Sequence, residues 1–149
     1  MTACVGPVAL AVPGAARNRL MPSGSRRALV LFAHGARAAT WAVPFERLRD
    51  LMSARLPEVP VRLAFLELMQ PDLPLVCHQL AAEGITRIEL FPIFLAVGGH
   101  LREDLPELVA AARARDPQLE IVVHPALGES EVLLQAIADG IYSGVAAAP

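Results

Sequence analysis

Four short apolar runs recur along the chain at intervals of about 30 residues, and each is followed by a segment with helical spacing. ALVLFA (28–33) is the first run. VPFERLRDLMSARL (43–56) follows it, with apolar residues at 45, 48, 51, 52 and 56. VRLAFLE (61–67) reads as the second strand. After Pro71 and Asp72, a second helix places Leu73, Val76, Cys77 and Leu80 on one face. TRIELFPIFL (86–95) contains the third strand, and LREDLPELVAAARAR (101–115) is the third helix. LEIVV (119–123) and ESEVLLQAIADGIY (129–142) complete the series. Strands alternating with helices at this interval build βαβ units and a parallel sheet with right-handed crossovers. Continuous apolar strands fit a sheet covered by helices on both faces.

The rhythm occupies one domain, residues 27–149 of a 149-residue chain. Residues 1–26 are rich in Gly, Pro, Ala and Ser, and read as a poorly ordered tail in which Met21 is a second candidate start. No positive charge precedes the apolar part of that tail and two prolines interrupt it, so a signal peptide is not expected. No run reaches the roughly 20 apolar residues of a membrane span. The expected location is the cytoplasm, with no membrane partner. The formal net charge of −2 gives no general attraction to nucleic acid. All 13 basic residues are arginines, whose guanidinium holds carboxylates in bidentate geometry. Cys4 and Cys77 form no CxxC and suggest neither a disulfide framework nor a zinc knuckle.

In open α/β sheets, ligands bind beyond the carboxyl ends of the strands. His34-Gly35-Ala36-Arg37 follows strand one and Glu67 ends strand two. Strand three leads through IFLAVGGH to His100, then Arg102 and Asp104, and His124 follows strand four. Three of the four histidines fall on this rim. His34, Glu67 and His100 are spaced 33 residues apart, one βα unit each, so neighbouring strands can bring them together. Two imidazoles and a carboxylate suit a divalent first-row metal such as Fe, Co, Ni, Cu or Zn. The absence of thiolates argues against a closed structural zinc site. Each residue also has a plainer reading: a turn histidine, a carboxylate that caps helix two or pairs with an arginine, a solvated loop histidine. Phe94, Leu95 and Val97 suit either a wall for a flat apolar ligand or the core. Gly98 and Gly99 let backbone approach a ligand closely. Arg37 and Arg102 stand within three residues of a rim histidine, as solvated arginines or as clamps for a ligand with several carboxylates. His78 reads as a surface residue, Cys77 as core, and His124 is left open. No P-loop, GxGxxG or GxSxG occurs, which argues against nucleotide binding and serine hydrolysis.

LVLFAHGAR, AFLELMQPDLP and FPIFLAVGGHLREDLPELV carry a resemblance to the short, single-domain sirohydrochlorin chelatases, class II tetrapyrrole chelatases of the cobalamin, siroheme and nickel-tetrapyrrole pathways. It covers about residues 28–142. The resemblance implies a chelatase-like (flavodoxin-like) α/β fold with a four-stranded parallel sheet. It implies insertion of Co²⁺, Fe²⁺ or Ni²⁺ into sirohydrochlorin without ATP, the metal being a substrate and no cofactor permanently bound. By the same resemblance His34 and His100 match metal-binding and proton-accepting histidines, and Glu67 their acidic partner. Arg37, Phe94, Leu95, Gly98, Gly99 and Arg102 would meet the tetrapyrrole, in a homodimer with a shared cavity. The family commonly has serine where this chain has Ala36. The alternative reading is a non-catalytic divalent-metal carrier or regulatory protein on the same fold.

Overall fold

The computed structural model describes residues 26–148. The tail expected over 1–26, with Cys4 and Met21, lies outside them apart from Arg26. The Arg26 carbonyl accepts from the Thr86 and Arg87 amides at 2.9 and 3.2 Å, which ties that residue to the domain.

Four strands, β1 (Arg27–Ala33), β2 (Val61–Phe65), β3 (Arg87–Pro92) and β4 (Glu120–Val123), form one sheet in the order β2-β1-β3-β4. All three pairings are parallel, with Leu31 opposite Leu63 on one side and Phe91 on the other. The helices are α1 (Val43–Arg55), α2 (Leu73–Ala82), α3 (Gly99–Arg115) and α4 (Glu131–Ala146). Two short 3₁₀ turns, Ala39–Ala42 and Leu127–Glu129, had no sequence signal. The α/β class, four parallel strands and helical connections follow the sequence reading. No described helix is long and apolar enough to cross a membrane.

Local chemistry sets the boundaries. Asp72 caps α2 by accepting from the Leu75 amide at 2.9 Å. Pro44 and Pro74 sit in the first turns of α1 and α2, where a missing N–H costs no helical bond. β2 stops at Phe65, two residues short of the expected end, because the following loop folds back: the Phe65 amide donates to the Pro71 carbonyl at 2.9 Å. Glu67 therefore stands in a loop rather than at the strand's tip. α3 begins at Gly99, since Gly98 takes an extended cap conformation, and His100 lies in its first turn. Pro106 inside α3 has no N–H to meet the Arg102 carbonyl, so that carbonyl lacks its usual helical donor.

The two faces of the sheet are covered unequally. On one, Val30, Phe32, Ala64, Ile88 and Leu90 pack under α2 and α3 with Leu73, Val76, Cys77, Leu80, Leu101 and Val109. On the other, Leu29, Leu31, Val61, Leu63 and Phe65 pack under α1, against Phe45, Leu48 and Met52. α2 and α3 bury four and three residues, whereas α1 and α4 bury none. β3 is accordingly not continuously apolar. Ile88, Leu90 and Pro92 are buried, while Arg87, Glu89 and Phe91 on the α1 side are only half-buried.

Candidate active site

β1 lies between β2 and β3, so residues leaving its carboxyl end have a neighbouring strand on each side. His34 is the first residue past β1. Its ring meets Phe94 edge-on at 6.2 Å, and Phe94 in turn meets Phe32 edge-on at 5.8 Å. Phe94 is thus turned into the core as the floor beneath His34, not opened to a ligand. Gly35 has φ +94°, and a Cβ there would run into the Glu67 carbonyl oxygen. Only glycine allows this turn and this approach together. The Glu67 amide donates to the His34 carbonyl at 3.0 Å, which locks the two loops at that point. Beside Glu67, Leu68 adopts φ +62°, an uncommon conformation for a branched residue.

The result is a pair of side chains, each about half exposed. His34 Nδ1 lies 3.6 Å from Glu67 Oε1 and 3.4 Å from the Gly35 carbonyl oxygen. The carboxylate distance is that of an ion pair rather than a hydrogen bond. With Nδ1 facing these oxygens, Nε2 is the nitrogen left to receive a proton or a cation. Glu67 also lines an open cavity of about 440 Å³ with Asp104 and Glu107 of α3. Three carboxylates on one cavity make a negative surface that draws cations.

The expected trio is therefore gathered in part. His34 and Glu67 meet. His100 is exposed in the first turn of α3, which follows β3, with no hydrogen bond or ion pair among the described residues. Among those residues no three His, Cys, Asp or Glu side chains come close enough to hold a metal together. Arg37 and Arg102 are exposed and enter none of the ion pairs among the described residues. Arg102 lines a largely apolar cavity of about 470 Å³ with Val97, Leu101, Leu105 and His124. Leu95 is exposed, and a Cβ at Gly98 or Gly99 would meet nothing within 4 Å, so the loop before α3 is open above its backbone.

The remaining rim and helix residues have structural partners. His124 Nε2 lies 2.7 Å from Glu89 Oε2, and its ring stacks on Phe91 at 4.0 Å. Arg87 Nε donates to Glu89 Oε1 at 2.6 Å and its Nη1 donates to Glu120 at 2.9 Å. Burial alone would raise the Glu89 pKa, but the bonds from Arg87 and His124 together hold it below the usual carboxylate range. Glu89 was not singled out in the sequence. Strand alternation was the available signal, since Val122 pairs with Glu89 and puts His124 on the same face. His78 is half exposed and pairs with Asp116 at 3.2 Å. Cys77 is fully buried, and burial first, then Asp116, pushes its thiol up to about 12.

Comparison with known proteins agrees with this architecture. The chain is 29% identical over 118 residues to a sirohydrochlorin ferrochelatase of Priestia megaterium, covering 76% of this chain and 43% of that one. It is 28% identical over 81 residues to a sirohydrochlorin cobaltochelatase of Methanothermobacter thermautotrophicus, covering 54% and 56%. It thus spans about half the length of these curated relatives. A crystal structure of a candidate cobalamin (vitamin B12) biosynthesis CbiX protein from Marinobacter aquaeolei superposes with a TM-score of 0.74 at 26% identity, covering 82% of this chain and 99% of that one. The family model described as CbiX matches residues 28–143, which include all four strands but for Arg27, every rim residue and most of α4, and on that match the chain belongs to the CbiX family.

Proposed function

We propose that this chain inserts a divalent metal ion, Co²⁺ or else Fe²⁺ or Ni²⁺, into sirohydrochlorin without ATP, in the cytoplasm and with no permanently bound cofactor. The observation that carries the reading is the His34–Glu67 pair, 3.6 Å apart and open to solvent at the mouth of a parallel sheet. The names of the curated relatives support the substrate and the reaction.

Metal insertion requires that a partly dehydrated ion be held, that two pyrrole N–H protons leave, and that the ion then pass on. In this reading His34 Nε2 is the ligand and proton acceptor, with Glu67 orienting its imidazole through Nδ1. His100 is the second acceptor, carried on the first turn of α3. Glu67, Asp104 and Glu107 draw the cation to the rim. Few and exposed ligands suit transfer, because a closed, high-affinity shell would retain the ion. Arg37 and Arg102 bind carboxylates of the substrate, and the uncapped amides of the first turn of α3 favour the same negative groups. Leu95, Gly98 and Gly99 face the macrocycle. One rim leaves the ring's other face uncovered, and a homodimer with a shared cavity supplies the second wall.

The test is to mix the protein anaerobically with sirohydrochlorin and each of the three ions, and to follow the absorption spectrum against a protein-free control. Acceleration with at least one ion is expected, and its loss in His34→Ala and in His100→Ala while the circular dichroism is unchanged. No acceleration with any ion, together with retained Co²⁺ or Ni²⁺ binding, would replace the chelatase with a metal carrier.

A further inference from the structure

The loop after β2 sends four consecutive side chains to four destinations. Leu66 packs against the core under α2 and α3, and Met69 against the core under α1. Glu67 meets His34. Leu68 joins neither core and is 59% exposed. Its backbone has φ +62°, the only positive φ of a non-glycine residue among those described. That conformation is disfavoured for a branched side chain and is normally left to Gly, Asn or Asp. Strain of this kind persists only where the surroundings fix it, and it clusters at ligand-binding sites. Here the surroundings do fix it. The Phe65, Leu66 and Glu67 amides donate to the Pro71, Ala33 and His34 carbonyls at 2.9, 2.9 and 3.0 Å. The Asp72 amide donates to the Gln70 side-chain oxygen at 3.2 Å. With Leu66 and Met69 anchored in different cores, the residue between them has little apolar surface of its own chain to cover it.

The loop after β3 carries a counterpart. Leu95 is 64% exposed. The Gly128 amide donates to the Phe94 carbonyl at 2.9 Å, and a Cβ at Gly128 would run into the Leu95 carbonyl, so this loop is also held at its backbone. β2 and β3 are the two neighbours of β1. At one strand spacing each, they lie roughly 10 Å apart. Two fixed loops, each with an exposed leucine, thus border the loop that carries His34.

We infer that Leu68 is a substrate-binding residue: together with Leu95 it bears the apolar face of the tetrapyrrole macrocycle, and the loop locked to His34 sets where the ring lies relative to that imidazole. A planar ring with carboxylates at its margin needs apolar contact beneath it and cations around it. Arg37 and Arg102 supply the cations, and the two leucines supply the apolar contact. A side chain already held in place by its loop loses little freedom when a ligand arrives, which favours binding. Asparagine or glycine at position 68 would suit the backbone better, so the leucine lowers stability in favour of the contact it makes with a ligand. The inference rests on the chelatase reading, and adds to it a residue that the 33-residue spacing of His34, Glu67 and His100 does not reach.

Leu68→Asn tests this, because asparagine accepts a positive φ but removes the apolar contact. Its urea midpoint should rise. Anaerobic fluorescence titration with metal-free sirohydrochlorin should show binding weakened roughly five- to twentyfold, the loss expected when the exposed part of a leucine no longer meets a ligand. In the metallation assay the loss should fall on KM and not on kcat, since the leucine touches the ring both before and after the ion enters. Leu68→Met keeps an apolar side chain of similar volume and should bind within about twofold of wild type. Unchanged sirohydrochlorin binding in Leu68→Asn would overturn the inference. A lowered urea midpoint would overturn it too, because the leucine would then be holding its own loop. A lower sedimentation mass in the variant than in wild type would place Leu68 in a contact between copies, with the same consequence. A wild type that binds no sirohydrochlorin sinks the chelatase reading and this inference with it. A wild type that binds and metallates, beside a Leu68→Asn protein that does so equally well, sinks this inference alone.

Discussion

Replacing Gly35 by alanine tests whether the His34–Glu67 pair is built by backbone geometry. Two penalties meet at this position. At φ +94° an L-residue is strained by about 1–2 kcal/mol. The new methyl also runs into the Glu67 carbonyl oxygen, and the simplest relief is to part the loops, losing the 3.0 Å bond from the Glu67 amide to the His34 carbonyl. That bond contributes about 0.5–1.5 kcal/mol. Restricting the unfolded chain returns about 0.4–1 kcal/mol. The net loss is roughly 2 kcal/mol, read as a lowered urea midpoint at constant slope, or as a fall in melting temperature of about 4–8 °C. Metal binding should weaken further than stability does, because parting the loops separates imidazole from carboxylate while the core under α2 and α3 is untouched. Gly99→Ala is the control: its Cβ meets nothing within 4 Å and it lies in a helix, where alanine is favoured. A Gly35→Ala protein within about 0.5 kcal/mol of wild type would refute the close approach that joins the two loops.

Further outcomes follow from other residues. Gly99→Ala should raise stability by up to about 1 kcal/mol yet slow metallation, if a flat ligand rests on that backbone; spectral assays and denaturation on one preparation decide it. Asp72→Ala removes the bond to the Leu75 amide and should cost about 1 kcal/mol in urea denaturation. Glu89 has a folded pKa below its unfolded one, so its contribution is present above the unfolded carboxylate pKa and is lost as pH falls through the folded value. Glu89→Gln should therefore flatten the acid limb of a stability–pH curve, and an unchanged limb would count against the Arg87–Glu89–His124 chain. The Cys77 thiol, pushed up to about 12, should resist iodoacetamide at about pH 8 in the native protein and react once unfolded, as peptide mass mapping would show.

How far the sequence could be read depended on the range of the forces involved. Strand and helix positions came from periodicity, a local signal: β1 and β4 fall within about a residue of their expected limits and α2 starts directly after Asp72 as expected, because apolar runs and the Asp72 cap are written locally. Glu67 was expected at a strand end and sits two residues past one, since the fold-back of the Phe65 amide onto the Pro71 carbonyl has no composition signature. Phe94 could be wall or core from sequence, and only its position under His34 decides for core. The rim spacing foresaw that His34 and Glu67 would meet. For His100 it set the element but not the approach, because the helix start at Gly99 fixes where the first turn projects.

The uneven cover of the sheet connects these observations. A sheet wrapped on both faces within one chain should have apolar strands throughout, and β1 and the α2–α3 side obey this. β3 instead alternates, with Arg87 and Glu89 on the face that α4 leaves open. If α4 folded back onto its own sheet, that charge chain would lie under the helix of its own chain and at least part of the α4 stripe would be buried, yet α4 buries nothing. The alternation in β3 and the solvent-facing stripe of α4 are one fact seen from two elements. The β3–β4 half of the α1 face and the outer side of α4 are both left open among the described residues, and the bond from the Gly128 amide to the Phe94 carbonyl ties the start of α4 to the loop beside His34.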